Sequence, residues 1–453
     1  MKSNILKLSL LSALTFLLIG CNEGIIDPVP EDDKEVEGNP GKEDEKKYEL
    51  VSEQTYNLTA FIGELTEESD LTSGLPDIYK QMVTARLNSY VTRLEGECGV
   101  EKGKLGFKKI VYLYKSKDQY GKDVVLSAMA MWFGQLEGDV WEDSSPADVC
   151  LMEHYTITSN AECPSEGYPF EAFVNGNALV IMPDYIGFGH SSDMVHPYLN
   201  HEVCAVNSMD ALWAGMDAFN DVSEADLDNG WTMFVRGASQ GGGNALAVHK
   251  YIDSVPGMAD KCRFSHSYCA AGPYDPALTV DRYMEAGVTE NPVLFTLTLK
   301  SMHDSYPDIL GRFDEDRMYS DKYLTYKDEL ESALSSKDYT TSQLNRLYIK
   351  TLAGEGAGQL TLSDILSEEI LTKESELSRA LYECLELNDL TKGWTPSHPI
   401  ELFYSELDEI VPYENAMAVY NAFGDEFVKL TRSLIQTDHS IACALWMLDL
   451  ISR

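Results

Sequence analysis

The sequence predicts an α/β protein, with a mostly parallel sheet covered by helices on both faces and one long helical insertion. Three observations carry that expectation. Short apolar runs at 149–155, 178–182, 232–236, 264–270, 400–404 and 429–435 read as buried strands. Between them, 205–219, 243–252, 413–423 and 441–450 repeat apolar residues at helical spacing, and strands alternating with helices imply parallel pairing. The alternation stops between Pro276 and Trp394, where helical signals such as 321–334 and 375–387 occur with little that reads as a buried strand. The expected parts are a core over 48–275, a helical cap inserted over 276–394, and the rest of the core over 395–453.

Ahead of the alternation, a helical stretch is expected at 78–94. The β-rich runs 108–114 and 124–133 flank Asp118-Gln119-Tyr120-Gly121 and suggest an antiparallel hairpin. Ordered chain is expected from about Tyr48. Residues 21–47 are acidic, contain Pro and Gly and carry almost no large apolar side chains, so they read as a disordered tether. Lys2 and Lys7 precede an apolar run at 8–19 that is too short to span a bilayer, so 1–20 reads as a signal peptide. The run ends in Leu18-Ile19-Gly20-Cys21, which resembles the bacterial lipobox. That resemblance implies acylation of Cys21 and an exported lipoprotein held on the cell envelope. Each buried acyl methylene contributes about 0.8 kcal/mol to such an anchor.

Composition narrows the partners. The 35 Lys+Arg against 74 Asp+Glu give a net charge of −39, which repels a phosphate backbone, so nucleic acid is not an expected partner. Beyond Cys21, eight cysteines (98, 150, 163, 204, 262, 269, 384, 443) form an even set that an oxidising compartment could pair. No C-x-x-C spacing points to zinc or to a thioredoxin-like site. Gly187-Phe188-Gly189 lacks the third glycine of a dinucleotide fingerprint, and neither a P-loop nor H-E-x-x-H occurs. No cofactor and no metal are expected.

The strongest chemical signal is Gly237-Ala238-Ser239-Gln240-Gly241, a G-x-S-x-G pentapeptide between the apolar run 232–235 and a helix-compatible segment. A sharp strand-to-helix turn that exposes a serine needs small residues two positions away on each side, which Gly237 and Gly241 supply. A serine hydroxyl needs a base to take its proton and an acid to orient that base, and in folds that carry the serine on such a strand-to-helix elbow the partners follow in the chain order Ser, Asp or Glu, His. That order sets aside His154, His190, His196, His201, His249, His266 and His303. His398 precedes the expected acid. His439 remains, in a polar loop ahead of the last helix. The acid follows the strand at 400–404. Asp408 is the choice, with Glu406 and Glu409 as alternatives, because the turn into Val411-Pro412 would present it at the strand's C-terminal end. The oxyanion is expected to meet the backbone N–H of Gln240 and a second donor after Tyr155, named as Thr156.

Taken with Pro183-Asp184-Tyr185-Ile186-Gly187-Phe188-Gly189, His196-Pro197-Tyr198-Leu199 and Val411-Pro412, the pentapeptide and Asp408 resemble the α/β-hydrolase lipases and esterases of the secretory lipase family, typified by fungal lipase A and with bacterial lipoprotein relatives. The resemblance spans about residue 104 to the C-terminus. It implies the α/β-hydrolase fold, ester hydrolysis through an acyl-serine, a helical cap before the acid's strand, no cofactor, and Ser239, Asp408 and His439 at matching positions. A small-molecule or lipid ester is the expected substrate. A serine peptidase of the same fold and a non-catalytic surface-binding lipoprotein are the competing readings. Asp184 is expected to make structural hydrogen bonds.

Overall fold

The computed structural model of the protein describes residues 47–58 and 77–453. Residues 1–20 and Cys21, and with them the signal peptide, lipobox and nearly all of the tether, lie outside the described residues. Among the described residues, ten strands form one sheet. They are β1 (Tyr48–Asn57), β2 (Leu105–Lys117), β3 (Asp123–Glu137), β4 (Val140–Asp143), β5 (Asp148–Glu153), β6 (Ala178–Pro183), β7 (Met233–Ala238), β8 (Phe264–Ala270), β11 (Ile400–Tyr404) and β12 (Val428–Arg432), while β9 (Val288–Thr289) and β10 (Leu360–Thr361) pair apart from it. The spatial order is β1-β2-β3-β6-β5-β7-β8-β11-β12, with β4 on β3. Pairing is antiparallel from β1 through β6 and parallel from β6 to β12. This is the mostly parallel sheet that the sequence predicts.

The hairpin of β2 and β3 turns where expected. The Asp118 carboxylate accepts the backbone N–H groups of Tyr120 and Lys122 at 2.9 and 2.8 Å, closing the loop locally. Strand β1 was expected only as the start of ordered chain; it pairs along β2 over 48–57. Strand β12 stops at Arg432 rather than 435, because Ser433 turns back and its hydroxyl donates to the Ile435 carbonyl at 2.7 Å.

The helices are α1 (Asp77–Glu97), α2 (His201–Val222), α3 (Gln240–Ser254), α4 (Met258–Cys262), α5 (Pro276–Ala286), α6 (Val293–Ser305), α7 (Asp321–Thr325), α8 (Lys327–Ser336), α9 (Thr341–Ala353), α10 (Glu368–Leu371), α11 (Glu376–Leu387), α12 (Glu414–Phe423) and α13 (His439–Ser452). One sheet face packs on α2, α3 and α12 through residues such as Leu212, Phe219, Leu246 and Val419. The other packs on α1, α13 and the 3₁₀ turn Phe170–Val174 through Leu94, Phe173, Trp446 and Ile451. Burying each such side chain contributes about 1.5–3 kcal/mol, so the parallel half is fixed from both sides. Helices α5 to α11 enclose a third core around Leu299, Tyr323, Tyr348 and Leu381. All of them lie between β8 and β11, so the helical block enters the chain immediately before the strand that leads to Asp408.

The cysteines at 98, 150, 163, 204, 262, 269, 384 and 443 are all free thiols, and all but Cys98 are buried. The protein therefore uses them as small apolar packing residues. No described helix is long and apolar enough to cross a membrane.

Candidate active site

At the end of β7 the chain turns directly into α3, and Ser239 occupies the corner with φ 57° and ψ −125°. A positive φ is costly for a side-chain-bearing residue and persists only where the surroundings enforce it. Here the Ser239 N–H is bound to the Ala270 carbonyl at 2.9 Å, and the Ser239 carbonyl accepts from Gly243 N–H at 3.2 Å. A Cβ on Gly237 would strike the Gly241 backbone, and one on Gly241 would strike the Glu153 and His154 carbonyls. Both glycines are thus required by close backbone approach.

His439 is the first residue of α13 rather than part of a loop, because the Asp438 side chain caps the helix by accepting the Ile441 N–H. The cap turns the imidazole toward the elbow. Its Nε2 lies 2.8 Å from Ser239 Oγ, and its Nδ1 lies 2.7 Å from Asp408 Oδ2. The other Asp408 oxygen accepts the backbone N–H groups of Ile410 and Val411 at 3.0 and 2.8 Å, which orients the carboxylate. Glu406 instead faces Arg432 at the surface, while Glu409 accepts the His439 backbone N–H at 3.3 Å. Ser405 locks the acid and base loops together by donating to the Thr437 carbonyl at 2.6 Å and accepting the Thr437 N–H at 2.9 Å.

Burial works against a charge on His439, but Asp408 and the Cys443 sulfur outweigh it and hold the imidazole well above the ordinary histidine value. With Nδ1–H donating to Asp408, Nε2 is left to accept the serine proton. A serine, an imidazole and a carboxylate in this chain can generate an alkoxide nucleophile and return the proton to a leaving group.

The three side chains border a pocket of 530 Å³. Gln240 and Thr156 both line it, and Gln240 is the first residue of α3, where N–H groups have no intrahelical acceptor. The Thr156 hydroxyl lies 3.3 Å from the Tyr198 hydroxyl, and its carbonyl accepts from Thr341 at the start of α9. The helical block supplies Tyr283, Leu294, Phe295, Thr298 and Asn345 to the far wall.

Other histidines have their own partners. His196 binds the Ile186 carbonyl through Nδ1 at 2.7 Å, and His201 binds the Asn388 carbonyl through Nδ1 at 2.7 Å. His249, Asp253 and His398 bring ligand-type atoms within 4.8 Å of one another. The Asp253 carboxylate there already accepts from Ser397 N–H, Ser397 Oγ, His398 Nδ1 and His249 Nε2 at 2.6, 2.8, 2.6 and 3.1 Å. That arrangement ties the end of α3 to the start of β11. Asp184 is buried, accepts the Ser127 hydroxyl at 2.5 Å and the Ser165 N–H at 2.8 Å, and anchors the Asp184–Gly189 loop.

Sequence reasoning missed Glu171, Cys443 and Met447 on the pocket wall. The two α13 residues are four and eight positions after His439, a stripe legible only once the helix is started at His439. No sequence pattern singles out Glu171.

No family model matches the chain, and no curated protein does. Solved structures do. The ligand-bound rice cell wall degrading esterase LipA from Xanthomonas oryzae superposes with a TM-score of 0.65 at 18% identity, covering 89% of this chain and 96% of that one. A Legionella pneumophila protein assigned as a hydrolase superposes at 0.61 and 18% identity, covering 77% and 88%. Candida antarctica lipase A superposes at 0.48 and 12% identity, covering 76% and 74%. At these identities the likeness speaks for the fold, and the fold of this chain is that of the α/β hydrolases.

Proposed function

We propose that the protein is a serine carboxylic ester hydrolase of the lipase/esterase type. The observation that carries the proposal is the continuous Ser239–His439–Asp408 hydrogen-bond chain, at 2.8 and 2.7 Å, with the serine held at positive φ over a pocket. Ser239 Oγ attacks the ester carbonyl while His439 Nε2 takes its proton. The Gln240 N–H, with a second donor proposed from Thr156, stabilises the oxyanion as it forms. His439 then protonates the departing alkoxide and leaves an acyl-Ser239. Water attacks that ester with His439 again as base, and the acid departs as Ser239 recovers its proton. Asp408 keeps Nδ1–H in place and stabilises the imidazolium in both steps.

Fluorophosphonate labelling tests the nucleophile. Labelling is expected in the native protein and in Ser363→Ala, where the serine is exposed and lies in the helical block, and is expected to vanish in Ser239→Ala. Aryl esters of short and long acyl chains, run against peptide amides, then decide the class. Faster turnover of the amides would replace this reading with a peptidase, and unlabelled native protein would favour a binding role. The lipobox supports a further part of the proposal, attachment to the cell envelope through acylated Cys21. Metabolic labelling with an alkynyl fatty acid, lost in Cys21→Ser, checks it.

A further inference from the structure

One histidine outside the triad holds the loop beside the elbow. Chain order sets His154 aside as the base, and it stands where the chain leaves β5. Its imidazole is buried, and burial pushes it down to about 4, so it is neutral and carries a single N–H. Its Nδ1 lies 2.7 Å from the Tyr155 carbonyl oxygen, and its Nε2 lies 3.3 Å from the Asp184 carbonyl oxygen. Both neighbours only accept, so the proton belongs on Nδ1, where the contact is shorter. The ring stacks on Tyr185 with centroids 4.0 Å apart, and the Tyr185 hydroxyl donates to the His154 carbonyl at 3.3 Å. The imidazole is thus held in place from its face as well as its edge.

The Tyr155 carbonyl and the Thr156 N–H belong to one peptide group. That group is planar and trans, so fixing the direction of the C=O also fixes the N–H, which points the opposite way. Thr156 lines the pocket together with Ser239 and Gln240. Its N–H finds no hydrogen-bond acceptor among the described residues. On its other side, the Thr156 carbonyl accepts the Thr341 hydroxyl at 3.3 Å, so the residue is clamped fore and aft. A hydrogen bond received by a peptide oxygen polarises the group and makes its N–H a better donor. An N–H without an internal partner, aimed through the oxygen of its own peptide, is the donor fixed in advance that a developing oxyanion requires.

Building on the esterase reading above, with Thr156 as its second oxyanion donor, we propose that His154 is a positioning residue: its Nδ1–H, bound to the Tyr155 carbonyl, aims and polarises the Thr156 N–H toward the oxyanion of the tetrahedral intermediate. His154 is not among the residues that border the pocket, so it acts through this peptide and exchanges no proton with the substrate. Its effect therefore falls on the transition state and leaves ground-state binding little changed.

The experiment compares His154→Phe, which keeps a ring against Tyr185 but has no N–H, with His154→Asn, whose amide N–H can replace the one on Nδ1. Two quantities are read: kcat and KM on an aryl ester, and the affinity of an aryl trifluoromethyl ketone. Ser239 Oγ adds to the carbonyl carbon of that ketone, the serine proton passes to His439, and the carbonyl oxygen becomes an anion, so its affinity reports on the oxyanion donors. Losing such a donor outright costs about 10²–10³ in kcat, and a misaimed one is expected to cost about tenfold or more in His154→Phe. KM should change by less than about threefold, while ketone affinity should weaken by about the same factor as kcat. His154→Asn should recover most of both losses. An unchanged kcat, a rise in KM at constant kcat, or a fall in kcat without a fall in ketone affinity overturns the assignment. If thermal melts show that His154→Phe does not fold, His154→Asn carries the test: kcat within about threefold of native is expected, and a loss of about tenfold overturns the proposal. Absence of Ser239-dependent turnover on all esters would instead overturn the esterase reading, so the two failures are distinct.

Discussion

Gln240 and His196 are joined by a buried hydrogen bond, 2.8 Å from the amide nitrogen to the imidazole Nε2. Because His196 donates from Nδ1 to the Ile186 carbonyl, Nε2 is the acceptor. Burial pushes this imidazole down to about 3, so it stays neutral at working pH and the bond persists. The residue after the nucleophile is thereby fastened to the loop that follows β6. His196→Leu is expected to lower kcat by about tenfold or more with a smaller change in KM, since a loosened Gln240 presents its N–H less accurately to the oxyanion. Steady-state kinetics on an aryl ester check this, and an equal rise in KM at constant kcat would refute it.

On the proposed mechanism, Asp408 governs the pH profile. Hydrolysis needs neutral His439, and the imidazole is held above the ordinary histidine value of 6.5 by Asp408 and Cys443 despite its burial. Activity therefore falls as pH drops through that raised value, and the acid limb of kcat/KM lies on the alkaline side of 6.5. In Asp408→Asn the limb is expected to move toward lower pH, with kcat reduced by about 10⁴-fold. A pH–rate profile measured on both proteins decides it.

Gly241→Ala places a methyl against the Glu153 and His154 carbonyls, which belong to β5 and its following loop and have no room to retreat. A loss of stability of at least about 2 kcal/mol is expected, together with loss of fluorophosphonate labelling. A lower urea midpoint at unchanged slope reports the first effect.

Glu401 makes folding sensitive to acid. Burial opposes its charge, but Arg453, Lys429 and Thr431 outweigh burial and hold the carboxyl down to about 2. Arg453 forks onto it at 2.9 and 2.6 Å, joining β11 to the C-terminal residue. A depressed carboxyl contributes stability above its unfolded value and loses it as pH falls toward the folded one. Thermal melts of the native protein are expected to decline between about 4.5 and 2, and those of Glu401→Gln to start lower and decline less steeply over that window.

The parallel strands, the elbow and the meeting of Ser239, Asp408 and His439 were legible because each has a local signature: an uninterrupted apolar run, glycines at fixed offsets, or a histidine left by elimination. The start of α13 was not. Asp438 reads equally well as loop or as cap, and only the bond to Ile441 N–H decides. Glu171 was invisible for a different reason. It reaches the pocket wall because the turn Phe170–Val174 packs with α13, a contact between distant segments that no sequence pattern records. The free thiols likewise depend on where eight distant positions fall in the packed core.

Ser239 and His439 stand 200 residues apart, and the imidazole sits at the head of the last helix. A ribosome adding about 5–20 residues per second needs about 10–40 s to pass from one to the other. Throughout that interval the nascent chain carries a serine without a base. The Ser239–His439 pair can thus form only once α13 has been made, and a product truncated before α13 would lack the imidazole whatever the state of its other helices.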